Sequence, residues 1–118
     1  MISKNNNYRE IENSNGHRVF DSPRGRIILS RPRVIETPGV YDEWTKDKGN
    51  NLVYHTKRIV KEGDLGFYFE AGWGALQGYV FVNREVENEE VISSALEAVF
   101  RGMPFSGDEK DYVRGIEE

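Results

Sequence analysis

The sequence predicts an α+β domain, an antiparallel, meander-like sheet of about five strands with one amphipathic C-terminal helix packed on one face. Three observations predict it. Short runs rich in β-branched and aromatic residues alternate with turn residues between positions 17 and 83; one segment, 88–101, carries apolar residues at helical spacing; and 6 Phe, 6 Tyr and 2 Trp supply core area that a disordered chain lacks. At 118 residues the chain is the size of one ordinary domain, able to bury a core without metals or disulfides.

Residues 1–16 read as a flexible arm or an irregular first hairpin strand, ending in Asn15-Gly16, which tolerates positive φ and favours a tight turn. Arg18-Val19-Phe20 and Arg26-Ile27-Ile28-Leu29 read as two strands around Ser22-Pro23-Arg24-Gly25. Pro32 cannot donate to a ladder, so Val34-Ile35-Glu36 continues at a sheet edge after a kink or starts a new segment. Between Thr37 and Asn50 no period of two or 3.6 is sustained. This stretch reads as the longest loop, with Tyr41 and Trp44 capping the core from outside.

Three runs, 52–60, 65–70 and 78–83, then read as one antiparallel meander. Leu65, Phe67 and Phe69 share one face, as do Leu76, Val80 and Val82, and these faces are expected to meet the helix. The helix has Asn88 as N-cap, Glu89 and Glu90 in its first turn, Gly102 at C′ and Pro104 beyond. Val91, Ile92, Ala95, Leu96, Val99 and Phe100 form its apolar stripe, and Glu97 and Arg101 are spaced for an i,i+4 pair. The domain is drawn at 17–104, with 105–118 an acidic tail, fraying or forming a short helix.

The absence of cysteine excludes disulfides, thiol nucleophiles, Cys zinc sites and iron–sulfur clusters. No apolar run reaches the roughly 20 residues of a membrane span, and the N-terminus has no hydrophobic signal region, so a cytoplasmic protein is expected. Gly72-Trp73-Gly74-Ala75-Leu76-Gln77-Gly78 resembles a dinucleotide fingerprint only superficially: its third glycine comes one residue late, and a strand follows it, leaving no helix N-terminus for a phosphate. It reads as a hairpin connection with Trp73, either tucked onto the core or presented to a partner, at its tip. His17 and His55 have no metal-ligand spacing, so no metal or cofactor is expected. His55, mid-strand, is a candidate general base with Asp64 or Glu70, but it reads first as an ordinary strand histidine. No triad signature surrounds any serine, so no catalytic residue is assigned.

Charge is segregated. Residues 17–33 hold Arg18, Arg24, Arg26, Arg31 and Arg33 against Asp21, a net of +4, whereas residues 84–118 count 4 basic and 10 acidic side chains, a net of -6. The bland reading lays the arginines over the acidic C-terminal third; the functional one makes Arg24, Arg26, Arg31 and Arg33 a surface for carboxylate or phosphate. The whole chain, at -4, lacks the positive field that binding to nucleic acid backbone or anionic lipid requires. By elimination, the sequence points to a non-catalytic protein-binding module. The expectation is a small acidic inhibitor, of the immunity-protein, antitoxin or phage anti-host kind, that blocks a toxin or nucleic-acid-processing enzyme through Trp73, Glu85, Glu87, Asp108, Glu109 and Asp111. The alternative is a nucleic-acid-binding accessory protein that uses the arginine strands with Tyr68, Trp73, Tyr79 or Phe81 as stacking platforms; a small enzyme built on His55 comes third.

Overall fold

The computed structural model describes residues 8–14, 16–22, 25–72 and 75–103. Eight strands, β1 (Arg9–Ser14), β2 (His17–Ser22), β3 (Gly25–Leu29), β4 (Arg33–Val34), β5 (Gly39–Lys46), β6 (Leu52–Val60), β7 (Leu65–Ala71) and β8 (Leu76–Val82), precede a 3-10 turn, Asn88–Glu90, and helix α1 (Val91–Gly102). The sheet runs β1-β2-β3-β7-β8-β5-β6, with β4 also on β7, and every pairing is antiparallel. The α+β architecture is as the sequence predicts, with three more strands than expected.

The first extra strand, β1, forms a hairpin with β2 in which Ser14 pairs with His17 and Gly16 takes φ +81°. The second, β4, lies on the same edge of β7 as β3. Pro32 interrupts the ladder between them, and the Ser30 hydroxyl accepts the Tyr68 N–H at 3.1 Å beside the break.

The third, β5, replaces the expected long loop. Its inward positions are Tyr41, Glu43 and Thr45, and Glu43 and Thr45 are fully buried, so a strand periodicity is present but its inward side is polar. Inserting β5 between β8 and β6 also breaks the expected meander: β7 pairs with β8, but β6 pairs with β5. The turn after β6 is fastened by buried Asp64, whose carboxylate accepts the Lys61 and Arg84 N–H groups at 2.8 Å each.

The core is where the periodicity placed it. Phe67, Phe69, Val80 and Val82, with Phe20, Ile27 and Leu29, pack against Ala95, Leu96, Ala98 and Val99 of α1. The helix ends differ from expectation. Asn88 lies inside the 3-10 turn rather than capping, and Gly102 is the last helical residue, where a Cβ would come within 2.6 Å of Thr45 Oγ1. That glycine serves a close approach of helix to sheet, not a left-handed cap. Among the described residues no helix is long and apolar enough to cross a membrane.

Leu96 is completely enclosed, so Leu96→Ala is expected to lower stability by roughly 2–5 kcal/mol in a denaturant melt. An unchanged midpoint would mean that this helix face carries no core.

Candidate functional site

Of the acidic candidates, Glu85 and Glu87 stand exposed in the connection from β8 to the helix, next to exposed Glu89 and Glu90. Trp73, Asp108, Glu109, Asp111 and Arg24 lie outside the described residues. Of the remaining arginines, Arg18, opposite core Leu29, stands on the helix side of the sheet, whereas Arg26, opposite Asp21, and Arg33, opposite Gly66, share the other side. Arg18 grips Glu10 with two 2.8 Å hydrogen bonds, from Nε to Oε2 and from Nη2 to Oε1, and its guanidinium lies 5.9 Å from the Phe20 ring centroid. Arg26 lies 3.7 Å from Asp21, Arg33 stands 6.0 Å from the Tyr79 ring centroid, and Arg31 is exposed. Among the described residues, then, the carboxylates beside Arg18 and Arg26 come from neighbouring strands rather than from the acidic C-terminal third. Hairpin geometry explains this, since β1 supplies Glu10 next to β2.

The Arg18 hydrogen bonds hold the Glu10 carboxyl below its ordinary value of 4.5. A lowered folded-state pKa gives stability that is complete above the ordinary value and is lost as the pH falls through the lowered one. On acidification the backbone NMR signals of Arg9–Ser14 are therefore expected to move toward unfolded positions before those of the core, and Arg18→Gln should abolish that early step. If β1 and the core titrate together in the unsubstituted protein, the pair does not hold this strand.

His55 pairs with neither Asp64 nor Glu70. Asp64 is occupied by its turn, and His55 Nε2 instead lies 2.9 Å from Asp42 Oδ1, which also accepts from Lys57 Nζ at 3.1 Å. These contacts, the His55 hydrogen bond first, hold Asp42 below the usual carboxylate range. The group is exposed and lies on a cross-strand neighbour pair, β5 against β6. Among the described residues no group of three or more His, Cys, Asp or Glu side chains is arranged to hold a metal ion.

Two features escaped the sequence reading. One is a row of side chains crossing four strands: Tyr68 is opposite Tyr79, Tyr79 opposite Trp44, and Trp44 opposite His55. Alternation along β8 turns Tyr79 away from Val80 and hence away from α1, so the row lies on the face that the helix leaves uncovered. Tyr68, Tyr79 and Trp44 are all half-buried. Lys46 Nζ stands 5.2 Å from the Trp44 ring centroid, and Tyr68 Oη donates to Gln77 Oε1 at 2.5 Å. Phe81, expected to share the platform, is instead buried beneath Tyr41 in a small second core with Ile35 and Val60. Beside it an open cleft of about 350 Å³ is lined by Arg33, Val34, Ile35, Glu36, Thr37 and Tyr41.

The other feature is the Glu43 carboxylate, which is 0% exposed. Strand β5 stays paired to β8 only from Trp44 to Lys46. Where the ladder stops, Glu43 Oε2 accepts the Phe81 N–H at 3.0 Å, both carboxylate oxygens lie 3.1 Å from Arg58 Nη1, and Arg101 Nη2 is 3.8 Å away. The expected Glu97–Arg101 pair thus gives way to a contact between the helix end and β5. A side chain replaces a backbone acceptor at the point where the β5–β6 hairpin leaves the sheet, and so fixes the end of the aromatic row.

The chain matches no family model, no curated protein and no solved structure.

Proposed function

We propose that this chain is a non-catalytic protein-binding module that docks a partner on the uncovered sheet face, with Trp44, Tyr79 and Tyr68 as its anchors. The observation that carries the reading is the cross-strand row itself. Aromatic side chains held in register on rigid strands lose little conformational entropy on binding, and Trp, Tyr and Arg dominate interface hot spots. Charge on this face is mixed in sign: Lys57 is met by Asp42, Arg26 and Arg9 both lie within salt-bridge distance of Asp21, and Glu70 stands beside the row opposite Gln77. Mixed charge suits a protein surface better than a phosphate backbone, which needs an uncompensated positive field. The reading keeps the inhibitor class, acting by occlusion in the cytoplasm, and moves the contact from the acidic residues to the sheet.

The test is a photo-crosslinking residue placed at Lys46, beside Trp44 of the row, or at Glu97 on the exposed side of α1, with capture from the native host followed by mass spectrometry. One stoichiometric protein is expected from position 46 and none from 97. Trp44→Ala should weaken binding of that protein by about 2 kcal/mol or more while changing stability far less. Reversing Glu85 and Glu87 should slow association only, because rim charges act through steering. Binding of single-stranded oligonucleotides at physiological salt, lost in Trp44→Ala, would instead establish the nucleic-acid alternative.

A further inference from the structure

We infer that two copies of this chain associate about a two-fold axis by pairing their β6 strands antiparallel, centred on Thr56. The inference is independent of the partner reading, since it uses the edge of the sheet rather than its face.

The two ends of the sheet among the described strands differ. At β1 the register slips between Glu10 and Glu12, leaving Ile11 without an opposite residue, and the strand is charged; such an edge discourages further pairing. At the other end β6 runs in unbroken register with β5 from Tyr54 to Val60. Its outer half carries Ile59, 77% exposed, directly opposite Val40, 64% exposed, and its other end carries exposed Leu52. Beyond this regular stretch the register slips at Val53, so the template for one more strand is the edge from Tyr54 to Val60.

The occupant is identified by the strand's own pattern. The sequence Leu-Val-Tyr-His-Thr-Lys-Arg-Ile-Val is close to a palindrome in hydropathy about Thr56: two apolar residues at each end, polar or basic residues between. Antiparallel pairing centred there sets Tyr54 against Arg58 of the second copy, ring on cation, and brings the bulged end of one copy, Leu52 and Val53, beside Ile59 and Val60 of the other, apolar beside apolar. His55 of one copy comes opposite Lys57 of the other. Each His55 is backed by its own Asp42, at 2.9 Å, so a carboxylate already stands beside the incoming ammonium. Neighbouring registers that keep the same face are worse: centring on Lys57 sets two ammonium groups against each other, and centring on His55 brings Lys57 and Arg58 beside the apolar bulge at Leu52 and Val53. The result is an isologous contact that continues the sheet through both copies.

The natural chain has no cysteine, so one introduced cysteine can form only an intermolecular disulfide. Sedimentation velocity of the full chain across the micromolar range is expected to show a species of twice 13.6 kDa. Ile59→Lys, on an exposed side chain, should raise its dissociation constant roughly tenfold or more while leaving the melting temperature unchanged at concentrations where both proteins are monomeric. Under oxidation, Thr56→Cys should cross-link roughly tenfold faster than Ile11→Cys on the opposite edge, through the effective concentration that pairing creates. A mixture of His55→Cys and Lys57→Cys should link to each other in preference to either with itself. A monomer at all concentrations, equal linking at Ile11, or preferential self-linking of Lys57→Cys would each overturn the inference.

Discussion

Glu43→Ala is expected to lower stability by about 2–4 kcal/mol, far more than an ordinary sheet substitution, and Arg58→Ala to cost about 3–5 kcal/mol. The two halves of the pair are unequal because their burial is unequal. Removing the carboxylate leaves the Phe81 N–H without its acceptor and opens a space, but the Arg58 side chain, 30% exposed, can turn to water. Removing Arg58 leaves a wholly buried carboxylate that keeps the Phe81 N–H but has Arg101, 3.8 Å away, as its one remaining cation among the described residues. Arg101→Ala should matter least, under about 1 kcal/mol, because its side chain is 52% exposed and its contact is long. Glu43→Gln should fall between wild type and Glu43→Ala, since an amide oxygen can still accept from Phe81. Denaturant melts of the four variants check this order; if Arg101→Ala proved as damaging as Arg58→Ala, the helix end rather than the neighbouring strand would be what neutralises the carboxylate.

The same carboxylate explains where the sequence was legible and where it was not. Helix α1 and the strands β7 and β8 announce themselves because Leu96, Phe67, Phe69, Val80 and Val82 are apolar residues at the correct period on a face that is buried. Strand β5 hides because the alternation of hydropathy is reversed in it. Glu43 and Thr45 point inward while Val40 points to solvent, and nothing local shows that Arg58, fifteen residues on, and Phe81, thirty-eight residues on, make a buried Glu43 tolerable. With β5 unseen, the meander was the simplest topology, and the row joining Trp44 to Tyr79 could not be drawn. Tyr68 and Tyr79 could be singled out as aromatics on strands, but their alignment with Trp44 and His55 is a property of register alone. The two aromatics of the supposed loop also separate. Tyr41 does cap a small core over Phe81, and Trp44 belongs to the open face.

Gly78→Ala is expected to cost about 3 kcal/mol or more, at or beyond the upper end of the range for overpacked cores. Gly78 lies opposite both Phe69 on β7 and Thr45 on β5. A Cβ there would sit 2.2 Å from the Trp44 carbonyl oxygen and 2.6 Å from Phe69 Cε2. Neither neighbour can yield cheaply, because one is backbone in a paired strand and the other is a fully enclosed ring. Only three residue pairs join β5 to β8, and this is the middle one, so the least costly response is to lever the β5–β6 hairpin away from the sheet. Amide exchange at Trp44 and Lys46 should then quicken together with the loss of stability. Trp44→Ala, by contrast, is expected to weaken partner binding while leaving the fold close to intact, whereas Gly78→Ala should lose binding and stability together, because it separates Trp44 from Tyr79 without altering either ring. A Gly78→Ala melt within about 0.5 kcal/mol of wild type would show that the junction is looser than these contacts require, and that the aromatic row is not held rigid by it.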